Sequence, residues 1–375
     1  MENKQPINRT AFLVAVLVVF LVSLIGTVFT GSYRQNHSMP PQPTATKLLP
    51  KAERIYFGAF ANFGPTENTV TLENITHFQT LVGKDLAWAY FSNNWFNGII
   101  FPQQEVITLK QLGITPYIRL MPRESFSSNP DDHQYSLEKI SAGEFDTDLT
   151  RWAIAAREAD VPLIIEFGTE VNGHWFPWNG TWNGQGETTG FGDPHKPDGP
   201  ERFIAAYQRI INLFRSVGAT NVTWVYHINS ISNPPDKDWN GVLSYYPGDD
   251  YIDWIGVSVY GAQSDLDTWT TFDEVFAETY NTLTTATEKP IMIAEFAVHE
   301  QANTALKAAW LEATLQSFIQ NTYPRVKGIS YWQSSWVGSD DTHHNLHIDS
   351  SPEALAVFKQ YIAHPVFESQ TSFSE

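Results

Sequence analysis

The chain has no cysteine among its 375 residues, which excludes disulfides and cysteine-based metal sites. A chain of this length buries a core that needs no such staples, so an extracellular location stays open. Positive charge is scarce as well. Lys and Arg number 23 against 41 Asp and Glu, a formal net charge of -18. A surface of that sign repels phosphate backbones and argues against nucleic acid as a partner. Several motifs are missing: no repeat of solenoid length, no G-x-S-x-G elbow and no H-E-x-x-H pair. Gly184-x-Gly186 is an isolated glycine pair that opens no helix after a strand, so it says little about phosphate. What the chain has in quantity is aromatic surface: 14% Phe, Trp and Tyr, with 13 Trp. Flat rings cover the C–H faces of sugars, and they also serve as ordinary core packing.

The N-terminus carries the one long apolar run. No charged residue occurs from Thr10 to Tyr33, and Ala11–Phe29 reads AFLVAVLVVFLVSLIGTVF. A helix of that length crosses a hydrocarbon core of about 30 Å. A cleavable signal peptide would have a shorter apolar region and a small-x-small site after it. The expectation is a short tail over 1–10, a transmembrane signal anchor over 11–31 and a Pro-rich linker over 32–50. The domain beyond it would be extracytoplasmic on a single-pass membrane protein. Lys4 and Arg9 precede the span and Arg34 and Lys47 follow it, so charge bias barely orients it.

Beyond the linker, apolar runs rich in Ile, Val, Tyr and Trp alternate with helical patterns. Eight predicted strands are Arg54–Phe60, Leu86–Ser92, Thr115–Met121, Pro162–Glu170, Val222–Ile228, Ile252–Tyr260, Pro290–Phe296 and Val326–Gln333. Runs of this kind fit strands covered on both faces. The clearest helices are Pro200–Val217, Phe272–Thr287, Asn303–Thr322 and Pro352–Ile362, and the link between the fifth and sixth strands holds at most a short one. Eight such units point to an α/β fold, a (β/α)8 TIM barrel over 51–363, with a tail over 364–375. A doubly wound open sheet is the alternative, and the count and even spacing favour the barrel.

In such barrels functional groups gather at the C-terminal strand ends. Glu170 ends the predicted fourth strand, His227 and Asn229 the fifth, Tyr260 the sixth, Glu295 the seventh and Trp332 the eighth. Alternation puts Glu166 on the face of Glu170, one layer deeper. Glu166 is either a structural acid held by Arg119 or part of the substrate-binding wall. Two carboxyl groups across a cleft are the equipment of glycoside hydrolysis: one donates a proton to the leaving oxygen and the other attacks the anomeric carbon. On that reading Tyr260 hydrogen-bonds the nucleophile, Trp332 floors the reacting subsite, and Trp175 and Trp178 extend a platform along a polymer.

Five ordered stretches, GTEVNGHWFPW, WVYHIN, YYPGDDYIDWIGVSVYG, IMIAEF and NLHIDSSPEAL, resemble glycoside hydrolase family 26 over about residues 54–363. That family holds β-mannanases with some lichenases and β-1,3-xylanases. The resemblance implies a retaining mechanism without a cofactor on a β-linked polysaccharide. It implies Glu170 as acid/base and Glu295 as nucleophile, with Tyr260, Trp332 and Trp175 at matching family positions. Two positions depart from the family. Thr169 stands where it usually has His, which bears on mannan specificity more than on hydrolysis, and Glu166 stands where it commonly has Arg, a second carboxylate that would favour the protonated form of Glu170 if the two are close. A carbohydrate-binding or exopolysaccharide-assembly protein on the same barrel is the competing function, and a metal-dependent hydrolase is a third. Metal signals are weak. Asp236–Gly241 (DKDWNG) begins like a calcium loop but has Pro247 where Glu belongs. Asp340, Asp341, His343, His344 and His347 meet no fixed ligand spacing.

Overall fold

The computed structural model describes residues 46–126, 134–338 and 341–374. Eight parallel strands close on themselves: β1 (Ile55–Ala61), β2 (Trp88–Asn94), β3 (Thr115–Met121), β4 (Leu163–Phe167), β5 (Val222–Asn229), β6 (Trp254–Tyr260), β7 (Ile291–Ala297) and β8 (Val326–Gln333). Each pairs with the next, and β1 also pairs with β8, so the sheet is a barrel without an open edge. Helices α1 (Leu72–Val82), α2 (Gln103–Leu112), α3 (Leu137–Ala142), α4 (Asp146–Glu158), α5 (Asp198–Ser216), α6 (Phe272–Ala286), α7 (Thr304–Ile319) and α8 (Pro352–Ile362) lie between or after the strands. Between β5 and β6 there is only a 3-10 turn, Asp238–Asn240, where the sequence is rich in Pro and Asp. The expected TIM barrel is the observed architecture.

Every residue of β1 to β4 and of β7 is buried, because one face meets the helices and the other fills the barrel. The filling is aromatic. Trp88 points inward and donates its Nε1 hydrogen to Ser330 Oγ at 2.8 Å. Glycines on neighbouring strands make room for it. A Cβ at Gly58 would lie 2.0 Å from the Trp88 indole, and one at Gly328 would lie 2.4 Å from it. Tyr90 and Tyr117 pack against each other with ring planes tilted by 57° and 4.4 Å between centroids.

The packed domain is wider than the expected 51–363. Leu48 is buried, bridges to Phe373 and accepts a hydrogen bond from Trp254 Nε1. Lys47 pairs with Asp253 at 2.7 Å. At the other end β11 (Phe367–Glu368) pairs with the start of β1. Leu48 and Phe367 are both buried against strand starts, Leu48 at Thr223 and Phe367 at Ile55, and their polar, Pro-rich surroundings hide that in the sequence. The predicted membrane span over 11–31 lies outside the described residues. Among the described residues no helix is long and apolar enough to cross a membrane.

Trp88→Ala would leave a large void between β1 and β8. It is expected to destabilise the domain by about 3–5 kcal/mol, read as a lowered midpoint in chemical denaturation.

Candidate active site

The fourth strand ends earlier than its sequence suggests. β4 stops at Phe167, and Gly168 turns the chain with φ +66°; a Cβ there would lie 2.7 Å from Phe203. Glu170 therefore leaves the strand and sits in the following turn with φ 48°. That is an uncommon conformation for glutamate, of the kind retained at functional sites. The turn is held from three sides. Gly173 N donates to Glu170 O at 2.8 Å. Asn172, fully buried, donates to Asn229 O and accepts from Asn229 N, tying the turn to the end of β5. Trp178 Nε1 donates to Thr169 O. Gly173 also gives up its side-chain space to Trp175, whose ring atoms come within 2.3 Å of where a Cβ would be. Trp175 folds back over it and donates its Nε1 hydrogen to Glu170 Oε2 at 2.8 Å, while Asn229 Nδ2 donates to Oε1 at 3.1 Å.

Glu295 is placed by an irregularity in β7. The register against β6 skips a residue beside Glu295, and the register against β8 shifts between Ile293 and Phe296. Bulges of this kind re-aim a side chain beside a site. Tyr260 OH donates to Glu295 Oε2 at 2.6 Å, and Arg119 Nη2 lies 3.6 Å from Oε1. Burial is the largest influence on the Glu295 carboxyl and pushes it up. Arg119, His227 and Tyr260 pull down, nearby Glu170 pushes up again, and the group ends at about 7. Trp332 lies beside this group, stacked on Phe60 at 4.1 Å with the Arg119 guanidinium 5.1 Å from its ring.

Beneath Glu295 is a dry cluster of charge. Glu166 is 0% exposed. It accepts from Tyr117 OH at 2.7 Å and Tyr90 OH at 2.8 Å, and His227 Nδ1 lies 3.0 Å away. Arg119 Nε is 3.8 Å from Glu166 Oε1, and Arg119 Nη1 donates to Glu67 at 3.1 Å. Burial alone would raise Glu166, but His227, Arg119 and the Tyr117 hydroxyl outweigh it and hold the carboxyl below its usual range. His227 shows the converse: burial lowers it, Glu166 outweighs burial, and the imidazole is raised. Its Nε2 faces Ser258 Oγ at 2.9 Å and its Nδ1 faces Thr169 Oγ1 at 2.7 Å.

Three sequence expectations need correction. Trp178 is 1% exposed and stacked on Phe176, so it shores up the turn and presents no face to a sugar. Glu166 and His227 are sealed in the barrel with their polar atoms taken by protein partners, so neither lines a substrate surface. Of the two readings of Glu166, the structural acid beside Arg119 is the one the packing supports. Trp175, 40% exposed, and Tyr260, at the rim, remain accessible, and Asn229 is half-buried against Glu170. Tyr90 is absent from the sequence reading. Its signal is weak, since a tyrosine inside an apolar strand reads as core.

The DKDWNG stretch has another use. Asn240 is fully buried, donates to Asn172 O and Pro234 O, and accepts from Asn179 Nδ2 and Tyr245 OH. It clamps the loop that carries Trp175. After β8, strands β9 (Ser335–Val337) and β10 (His343–Asn345) form a hairpin, with His344 stacked on Trp336 at 4.5 Å. Among the described residues no group of three or more His, Asp or Glu converges to hold a metal ion.

Because Glu166 neutralises buried cationic groups, Glu166→Ala leaves them uncompensated. The expected loss is about 3–5 kcal/mol of stability in denaturant titration, well beyond what an exposed Glu→Ala change costs.

The model for "Glycosyl hydrolase family 26" matches residues 132–341, more than half of the chain. Endoglucanase H of Acetivibrio thermocellus is 29% identical over 310 residues, 81% of this chain and 30% of that protein. Beta-1,3-xylanase TXYA of a Vibrio species is 24% identical over 251 residues, 60% of this chain and 47% of that protein. The chain thus spans 30% to 47% of the length of these relatives. Among solved structures, the family 26 β-mannanase BoMan26A of Bacteroides ovatus superposes with a TM-score of 0.57 at 16% identity, covering 84% of this chain and 90% of that one. The YdhT protein of Bacillus subtilis gives 0.58 at 17% identity, covering 86% and 88%. At such identities the structures speak for the fold alone, and it is the family model that decides: the chain belongs to glycosyl hydrolase family 26.

Proposed function

We propose that this protein is a retaining glycoside hydrolase acting on a β-linked polysaccharide such as β-mannan. The observation that carries the reading is the unequal dressing of two carboxyl groups at the barrel mouth, Glu170 just after β4 and Glu295 on β7. Glu295 has a guanidinium at 3.6 Å and a phenol at 2.6 Å, partners suited to an anion. Glu170 has the neutral donors Trp175 and Asn229. In the first step a Glu295 oxygen bonds to the anomeric carbon as the glycosidic C–O bond breaks, and Glu170 gives its proton to the leaving oxygen. In the second, water attacks the same carbon, Glu170 takes the water's proton, and Glu295 departs as carboxylate. Trp332 floors the reacting sugar and Trp175 contacts the next unit.

Thr169 and Glu166, where this chain departs from the pattern of its family, both lie in the buried layer under the site. They touch the substrate only through other residues, so the sugar is best found with a panel of β-mannan, mixed-linkage β-glucan and β-1,3-xylan. The apolar run over 11–31 supports a single-pass anchor that holds the domain outside the cytoplasm. Full-length protein should then resist alkaline carbonate extraction from membranes, while a chain lacking residues 1–45 should be released.

On the polysaccharide that wild type cleaves, Glu170→Ala should lower kcat by about 10²–10⁴-fold. Glu295→Ala should abolish hydrolysis while still binding polymer. Retained hydrolysis in Glu295→Ala would refute the mechanism, and a wild type that binds but cleaves nothing would favour the binding-protein alternative.

The pH profile gives a second test. The nucleophile acts as the anion, and its raised carboxyl titrates near 7. The acidic limb of kcat/KM should therefore fall as pH drops through about 7. Tyr260→Phe removes a bond that favours the anion, so the acidic limb should move to higher pH.

A further inference from the structure

Tyr90 has a geometry that neither carboxyl role explains. Its single phenolic hydrogen faces two carboxylate oxygens: Glu166 Oε1 at 2.8 Å and Glu295 Oε1 at 3.0 Å. His227 Nδ1 lies 3.2 Å from the same oxygen. One proton serves one strong acceptor at a time. Tyr90 is fully buried, so its hydroxyl is confined to these protein acceptors. The two acceptors also differ in what happens to them during the reaction. Glu166 stays an anion throughout, held by Tyr117, His227 and Arg119. Glu295 alternates between free carboxylate and ester.

Resting on the retaining reading above, we infer that the Tyr90 hydroxyl is a switching donor that follows the charge on Glu295, with Glu166 as its resting acceptor. Oε2 of Glu295 carries the rim tyrosine, Tyr260, while Oε1 faces the interior with Tyr90 and Arg119. Attack through Oε2 turns Oε1 into an ester carbonyl, a weaker acceptor than a carboxylate. The hydroxyl then rotates to Glu166. When water displaces the ester, charge returns to Glu295 and the hydroxyl rotates back as the anion forms. No bond to hydrogen breaks at Tyr90; its burial keeps the phenol protonated across the working range. The consequence is asymmetric. Tyr90 accelerates the step in which negative charge grows on Glu295, deglycosylation, and gives no acceleration to glycosylation, where it holds the starting carboxylate more tightly than the transition state.

The test uses 2,4-dinitrophenyl 2-deoxy-2-fluoro-β-mannobioside, or the cellobioside or xylobioside counterpart if the panel selects glucan or xylan. Intact-mass spectrometry follows labelling of Glu295 and its reactivation after the excess reagent is removed. Tyr90→Phe should lengthen reactivation about tenfold or more, the scale of one hydrogen bond to a charged group, while labelling at a pH above the acidic limb should not slow. Its acidic limb in kcat/KM should also move up. Tyr117→Phe removes an equally buried hydroxyl from Glu166 and none from Glu295, so its reactivation should stay closer to wild type than to Tyr90→Phe. Glu166→Gln keeps the volume and weakens the competing acceptor. The Tyr90 proton then commits to Glu295, and the limb should move down further in Glu166→Gln alone than when Tyr90→Phe is added to it, which separates the switch from the loss of a neighbouring charge. If Tyr90→Phe does not fold, 3-fluorotyrosine placed at Tyr90, a stronger donor of nearly the same volume, should shorten reactivation, and unchanged reactivation there overturns the switch. Unchanged reactivation in Tyr90→Phe, equal effects of Tyr90→Phe and Tyr117→Phe, or a limb in Glu166→Gln no lower than in the double variant each overturn the switch. If wild type is never labelled, the retaining mechanism fails and the switch falls with it; labelling with unaltered reactivation in Tyr90→Phe sinks only the switch.

Discussion

A carboxylate with no access to water sits near the centre of this barrel, and much of the site is arranged around keeping Glu166 ionised. An isolated charge in such a place would neutralise or unfold its surroundings. Glu166 avoids both because β3 supplies Arg119 and Tyr117, β2 supplies Tyr90 and β5 supplies His227. Closure of the sheet is what brings these strands' inward faces together. The same partners then serve Glu295: Arg119 and Tyr90 each reach it from the other side. The buried pairing and the carboxyl at the mouth are thus one electrostatic unit.

The upper layer of the site is built differently, from backbone turns and amides. Gly168 ends β4 early, Asn172 locks the turn to β5, and Asn240 locks it to the following loop. These are neutral, directional contacts. They fix where Glu170 and Trp175 are without adding charge beside Glu170. The division gives one carboxyl a cationic neighbourhood and the other a neutral one, so two chemically identical groups stand in different surroundings.

Much of the barrel was legible from the chain. The runs Thr115–Met121 and Val326–Gln333 are strands to the residue, and Pro352–Ile362 is a helix to the residue, because both-face burial and Pro-initiated helices leave strong local patterns. Alternation failed at Glu170, since a strand pattern does not register that Gly168 has turned out of the sheet. Trp178 was misplaced for a related reason. Composition cannot tell a tryptophan that meets solvent from one that Phe176 covers. Tyr90 went unnoticed because its importance lies wholly in its neighbours.

What the sequence determined by itself was the period of apolar residues, the count of eight strand-like runs, the acidic balance and the residue types near the strand ends. Each is a local or additive property of the chain. The tertiary structure decided which polar groups share a dry interior, which tryptophan faces outward and how β7 bulges to aim Glu295. Those depend on contacts between residues as far apart as Tyr90 and Glu295, 205 positions along the chain, and such contacts exist only once the barrel has closed.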